Sequence, residues 1–223
     1  MKWLDWIVLG ICALCLYAVI QIRLGCLWYI GSIENAEAVN SIIEGLSYSY
    51  IAAYLFYLLT SYLPERRRKM KLYVVIKDRV HKIGIDNIRN ILFEFARDTG
   101  LNADYSDTQH TEEILKSKNW DDEVPIFRKY RGIRLSYFRY ASSQCTDIKN
   151  RVADIVLRYK EVMTAEELVA LEELSKEFFI TQMESLSSYP SIKVNDGVDS
   201  LVSAFIDMQK KFLRVEQVFH IKK

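Results

Sequence analysis

From Gly45 to Leu63 nineteen successive positions carry no ionised side chain. At the helical rise that run is roughly 28 Å long, about the hydrocarbon thickness of a bilayer. Leu63-Pro64 closes it, and Glu65-Arg66-Arg67-Arg68-Lys69-Met70-Lys71 follows. A second charge-free run, Ile7 to Ile20, lies near the N-terminus, bounded by Trp3-Leu4-Asp5-Trp6 and Gln21-Ile22-Arg23. The pattern predicts two transmembrane helices, at about 4–24 and 44–63, with the acidic stretch Ser32 to Glu44 as a loop between them. Beyond Leu72 the apolar positions recur at helical spacing. Ile83, Ile88, Ile91, Leu92 and Phe95 run up to Thr99-Gly100, and Thr111-Glu112-Glu113 opens a short helix ending near Lys118. A long helix is expected from about Ile126 or Ile133 to Met163. Thr164-Ala165-Glu166-Glu167 matches a capping box, in which the threonine oxygen and the glutamate carboxylate satisfy each other's backbone N–H groups. One helix is read from there to Tyr189-Pro190, carrying Leu168, Leu171, Leu174, Phe178 and Met183. After the turn Asn195-Asp196-Gly197 comes a last helix with Val198, Leu201, Val202, Phe205, Phe212, Val215 and Phe219. Leu72 to Ile76 is the single strand-like run. The expected fold is all-α: an N-terminal two-helix transmembrane hairpin (1–64), a basic juxtamembrane segment (65–71) and a cytoplasmic helical bundle (72–223).

Charge orients the hairpin. Bases flanking a span resist translocation, so Arg66, Arg67, Arg68, Lys69 and Lys71 place the following residues in the cytoplasm and in contact with lipid headgroups. Glu34, Glu37 and Glu44 with no base suit the outer side, and Lys2 suits the inner. Both termini are therefore expected to be cytoplasmic, and the compartment to be the inner membrane. Of the 223 residues the first 64 hold two bases against four acids and the rest 28 against 25, so neither half is extreme. Trp3, Trp6 and Trp28 read as interfacial belts, and Arg23 either snorkels to the outer headgroups or is a functional buried charge. Asp5 and the bulky Leu27-Trp28-Tyr29 argue against a cleaved signal peptide. Cys12, Cys15 and Cys26 fall in or beside lipid and Cys145 stands alone, so no disulfide framework is expected.

On a helical wheel Gly45, Ser49, Ala53 and Thr60 form a small-residue stripe, and Gly10 and Ala13 share a face of the first span. These are expected to pack the hairpin together. Tyr50, Tyr54 and Tyr57 form a neighbouring stripe, which either packs on the first span or carries self-association into a homo-oligomer.

Candidate chemistry is sparse. His81, His110 and His220 lack metal-ligand spacing, no phosphate loop, nucleophile elbow or paired-carboxylate motif is present, and Asp121-Asp122-Glu123 reads as an exposed acidic turn. No metal, cofactor or catalytic residue is expected. The stretch Phe127 to Tyr140 interleaves Arg128, Lys129, Arg131, Arg134 and Arg139 with five aromatics. It is either a surface for a nucleic-acid or protein partner, or a core face with solvated bases.

Tyr50-Ile51-Ala52-Ala53-Tyr54-Leu55-Phe56-Tyr57, with Tyr62-Leu63-Pro64-Glu65-Arg66-Arg67-Arg68, resembles small bacterial hairpin membrane proteins. Some of these serve as effectors of anti-phage systems, retron-associated ones among them, injuring the inner membrane when released from inhibition. The resemblance implies a membrane-perturbing defence effector and transfers no residue role. The expected function is non-enzymatic, with the cytosolic bundle binding a partner or signal and controlling hairpin self-assembly. The alternatives are a passive membrane-anchored scaffold and, less favoured, a membrane-tethered enzyme.

Overall fold

The computed structural model describes residues 3–24, 33–97, 99–108, 110–125, 134–189, 194 and 197–221. They divide into two compact units, Met1–Met70 and Lys71–Lys223. Among the described residues the fold is all-α, with one isolated antiparallel bridge between Glu123 and Ser136.

In the first unit α1 (Trp3–Arg23) packs against α2 (Ile33–Tyr57). Two helices here are long and apolar enough to cross a membrane. The segment expected as a loop is helical from Ile33, because Ala36, Glu37 and Ala38 are good helix formers with no glycine or proline to interrupt them. The seam differs from the one expected. Gly45, Ser49, Ala53 and Thr60 are exposed, as are Gly10 and Ala13, and nothing lies within 4 Å of a Cβ added at either glycine. Positions turned inward on α2 include Asn40, Ile43, Ser47, Tyr50 and Tyr54, three and four residues apart, and those on α1 include Val8, Cys12, Cys15, Ala18 and Val19. Tyr50 Oη donates to the Val8 carbonyl at 3.4 Å, and Arg23 Nη2 meets Glu44 Oε1 at 2.7 Å. The most deeply buried hairpin residues are Cys12, Ala18, Asn40 and Ser47, with Tyr50 and Tyr54 half-buried beside them and Tyr57 exposed.

Nor does the helix stop at Leu63-Pro64. A π-helical segment, Leu58–Tyr62, in which the Leu63 N–H reaches back to the Leu58 carbonyl, leads directly into α3 (Leu63–Ile83). Proline lacks the N–H that an α-helix would aim at residue 60, and its ring crowds that carbonyl. The wider turn before Pro64 accommodates it. Arg66, Arg67, Arg68, Lys69 and Lys71 follow, all exposed, with Lys69 paired to Glu65 at 2.7 Å.

The second unit contains the rest of α3, a second π segment Gly84–Ile88, α4 (Arg89–Ala96), α5 (Thr111–Lys116), α6 (Tyr137–Tyr159), α7 (Ala165–Ser175), α8 (Phe178–Ser187) and α9 (Val198–Val218). α9 packs on α5, α7 and α8, while α6 packs on α4, α7 and α8. Ile76, Val80, Ile83, Ile88, Ile91, Leu92 and Phe95 from the first three elements enter one core with Phe179, Phe205, Phe212 and Phe219. The strand-like Leu72 to Ile76 is mid-helix in α3.

Ser136 opens α6, its Oγ accepting the Arg139 N–H, and the helix ends at Tyr159 rather than Met163. The earlier starts considered, at 126 or 133, lie outside the described residues. The capping box at Thr164 forms with both bonds, and the same Glu167 carboxylate accepts the Tyr73 hydroxyl, tying α7 to α3. Burial pushes that phenol up to about 12, helped by its bond to Glu167. The single helix expected from 164 to 189 is two. Glu177 is extended between α7 and α8 and ion-pairs with Lys211. This break resets the helical phase, so Phe179, Ile180 and Met183 enter the core while Phe178 is left exposed.

Gly84 has a steric reason to be glycine. A Cβ there would lie 2.6 Å from the Phe212 ring and 2.8 Å from the Tyr105 ring.

Candidate functional site

The bundle carries a groove between α3 and α6, with a volume of about 370 Å³, lined by Arg79, Lys82, Asn150, Arg151, Asp154 and Ile155. Helical spacing brings Arg79 and Lys82 to one side of α3, and Asn150, Arg151 and Asp154 to one side of α6. Arg79 Nη1 donates to Asp154 Oδ2 at 2.7 Å and its guanidinium lies 5.5 Å from the Tyr159 ring centre. Arg151 donates from Nη1 to Asp86 at 2.9 Å and from Nε to Asp147 at 2.7 Å. Burial works against its charge, but the bonds to Asp86 and Asp147 outweigh that and move the pKa up. Asp147 also accepts Asn87 Nδ2 at 2.7 Å, and Asn87 reaches Gln144 at 2.9 Å. Asp86 and Asn87 belong to the second π segment, whose wide turn delivers both side chains toward α6.

Two further polar centres are interior. Glu216 Oε1 accepts Tyr105 Oη at 3.0 Å and meets His81 Nδ1 at 2.9 Å, so His81 is not the isolated histidine its sequence context suggests. Burial, then the charge of Glu216, pushes the Tyr105 phenol up. Nearby Gln209 Oε1 accepts Thr111 Oγ1 at 2.8 Å, and its Nε2 donates to the Tyr105 carbonyl at 2.8 Å. These bonds hold the 99–108 connection to α9.

Glu94 is buried with Arg97 at 3.3 Å as its ion-pair partner, and its Oε2 has no hydrogen bond among the described residues. Desolvation raises its pKa, and Arg97 only partly opposes this. A carboxyl raised by the fold contributes most below the ordinary carboxylate range, and that contribution is lost as pH climbs through the raised value. Glu94→Gln is therefore expected to unfold at higher denaturant than the parent at pH 7.5. The gap should close as pH falls toward about 4, the ordinary glutamate value. A variant less stable than the parent at pH 7.5 would refute the assignment.

The basic and aromatic stretch divides. Arg128, Lys129 and Arg131 lie outside the described residues. Arg134 is exposed and 3.6 Å from Glu123, and Arg139 is exposed on the first turn of α6. Tyr137, Phe138 and Tyr140 are buried, Tyr137 against Phe95 at 4.8 Å, so these rings are core and present no stacking face. Residues 120–124 lie alongside 135–138 through backbone bonds from Val124 to Leu135, Tyr137 to Asp122 and Phe138 to Trp120. Asp121 caps this by accepting the Val194 N–H at 3.2 Å. The acidic turn thus has a structural role.

Of the groove residues none was singled out by sequence. Asp147/Arg151 and Asp154/Arg158 pair acid with base four apart on α6, but their partners Asp86 and Arg79 are more than sixty residues away. His110 pairs locally with Asp107 at 3.2 Å. Cys12, Cys15 and Cys145 are free thiols, and burial pushes Cys145 up. No group of metal-ligating side chains occurs among the described residues. No family model, curated protein or solved structure matches this chain.

Proposed function

We propose that the chain is a non-enzymatic integral protein of the bacterial inner membrane. α1 and α2 form a two-span hairpin with both termini cytoplasmic, and Arg66, Arg67, Arg68, Lys69 and Lys71 touch anionic headgroups. The observation that carries this is the inverted polarity of the hairpin. Trp6, Leu14, Leu16, Ile20, Leu46, Leu55, Phe56 and Leu59 are exposed, whereas Asn40 and Ser47 are buried and the Tyr50 hydroxyl is turned to a backbone carbonyl. Water favours the reverse distribution, and lipid favours this one.

The outward face bearing Gly45, Ser49 and Ala53 lets a second hairpin approach closely, so copies assemble through it. Two spans per chain enclose no path, so any permeabilisation requires several copies. In this reading the bundle receives a partner or signal that governs assembly, and the membrane is perturbed on release, as in the effectors the sequence resembles.

The test uses single cysteines at Ser49, Ala53 and Phe56 in a background lacking the native cysteines, with oxidative crosslinking in membranes. Dimers are expected at Ser49 and Ala53. Absence of dimers at both, with growth and membrane potential unchanged on induced expression, would leave a passive anchored scaffold as the reading. Release of the parent chain by alkaline carbonate would overturn membrane insertion itself.

A further inference from the structure

We infer that the α3/α6 groove is a binding site for a small phosphate-bearing molecule of about mononucleotide size. This deepens the reading of the bundle as the part that receives a signal. The lining carries three cations, Arg79, Lys82 and Arg151, against one carboxylate, Asp154. The acids that balance two of these cations stand off the lining. Asp86 and Asp147 hold Arg151, and Asp78 holds Lys82 at 2.8 Å.

Such pairing fixes the long side chains without consuming them. Arg151 uses Nε and Nη1, and among the described residues Nη2 makes no bond. Lys82 has three protons and pairs with Asp78 among the described residues. A planar guanidinium with a held orientation and spare N–H groups matches phosphate oxygens bidentately, and a lysine adds a point charge. Arg79 is steadied over the Tyr159 ring, Asn150 supplies an exposed amide at the rim, and Ile155 provides an apolar contact for the non-phosphate part of a ligand. The volume of about 370 Å³ exceeds what one phosphate fills and suits a phosphate with a base or sugar attached. The π segment that sets Asp86 and Asn87 against α6 adds a local feature common at functional sites.

Calorimetric titration of the full-length protein in detergent tests this, with AMP, inorganic phosphate and glycerol 3-phosphate as separate probes and vesicles containing phosphatidylglycerol as a fourth. Saturable AMP binding is expected, with affinity reduced at least tenfold in Arg151→Gln and severalfold in Lys82→Gln. Lys176→Gln, whose lysine lies at the end of α7 away from the groove residues, should match the parent. Because Arg151→Gln also breaks two ion pairs, Lys82→Gln, which removes only an exposed pair one helical turn apart, keeps the result readable if Arg151→Gln fails to fold.

Tighter response to glycerol 3-phosphate and to the vesicles than to AMP, lost in the same variants, assigns the phosphate to a lipid headgroup and overturns the soluble-ligand form. No saturable signal with any probe, or equal weakening in Lys176→Gln, overturns the site. A short oligonucleotide binding where AMP does not would overturn it in favour of a polynucleotide surface. None of these outcomes alters carbonate extraction or crosslinking, so failure here is distinct from failure of the membrane reading.

Discussion

Replacing Phe95 with alanine is expected to lower the unfolding free energy of the bundle by about 3–5 kcal/mol, the usual cost of deleting a buried aromatic. Phe95 is fully buried at the end of α4. Its ring centre lies 4.9 Å from that of Trp120 and 4.8 Å from that of Tyr137, both inclined, so one side chain joins α4 to the 117–124 connection and to the start of α6. The backbone around it has no slack to collapse. Ser117 Oγ donates to the Phe95 carbonyl at 3.0 Å, and the Trp120 indole N–H donates to the Leu115 carbonyl at 3.0 Å. A vacated ring site therefore stays largely open, and the two aromatics lose their partner. Phe93, two residues earlier on the same helix and exposed, provides the comparison. Phe93→Ala should stay within about 0.5 kcal/mol of the parent. Denaturant titration of the full chain in detergent, with amide exchange in α4 and α6 as the local readout, separates them. Equal losses in the two variants would show that the packing around Phe95 is not what holds this corner.

Ala53→Arg is expected to cost about 2.5–3.5 kcal/mol of membrane insertion, the penalty for an arginine near the centre of a spanning helix. Ala53 is exposed on α2, so its replacement meets lipid or a second copy and not the α1 seam. A shift of that size moves much of the chain from the carbonate-resistant pellet to the supernatant. Ala53→Leu keeps the position apolar and should leave insertion intact while widening the face beside Gly45 and Ser49. It should therefore remove crosslinked dimers without releasing the chain. Insertion unaffected by arginine would contradict a lipid-embedded α2. Dimers surviving leucine would move the contact to another face.

Helices were legible wherever their signals are local. The five apolar residues from Ile83 to Phe95 are all fully buried, because one face of a helix meeting a core is written in spacing alone. The same holds for Thr164 and Glu167, which lie within one turn of each other. Spacing grouped the positions of α2 into stripes. It could not say which stripe faces α1, since that depends on how two helices interdigitate. The pair chose the positions Asn40, Ile43, Ser47, Tyr50 and Tyr54 and left Gly45, Ser49 and Ala53 outside.

The break at Glu177 was invisible for a related reason. No glycine or proline marks it, and the gain comes from seating Phe179 against Phe205, with ring centres 5.1 Å apart, and Glu177 against Lys211. The groove was equally hidden, because Arg151 and Asp86 are 65 residues apart and Arg79 and Asp154 are 75 apart.

By itself the amino-acid order determined an all-α chain with two apolar helices, a basic collar after the second, and the helix start at the Thr164 capping box. Those follow from hydrogen bonds and burial within a few turns of chain. Only the tertiary structure decided which faces meet, where a helix breaks without a breaker, and which distant charges line one groove. Those are choices among alternatives of similar local energy, settled by packing between segments far apart in sequence.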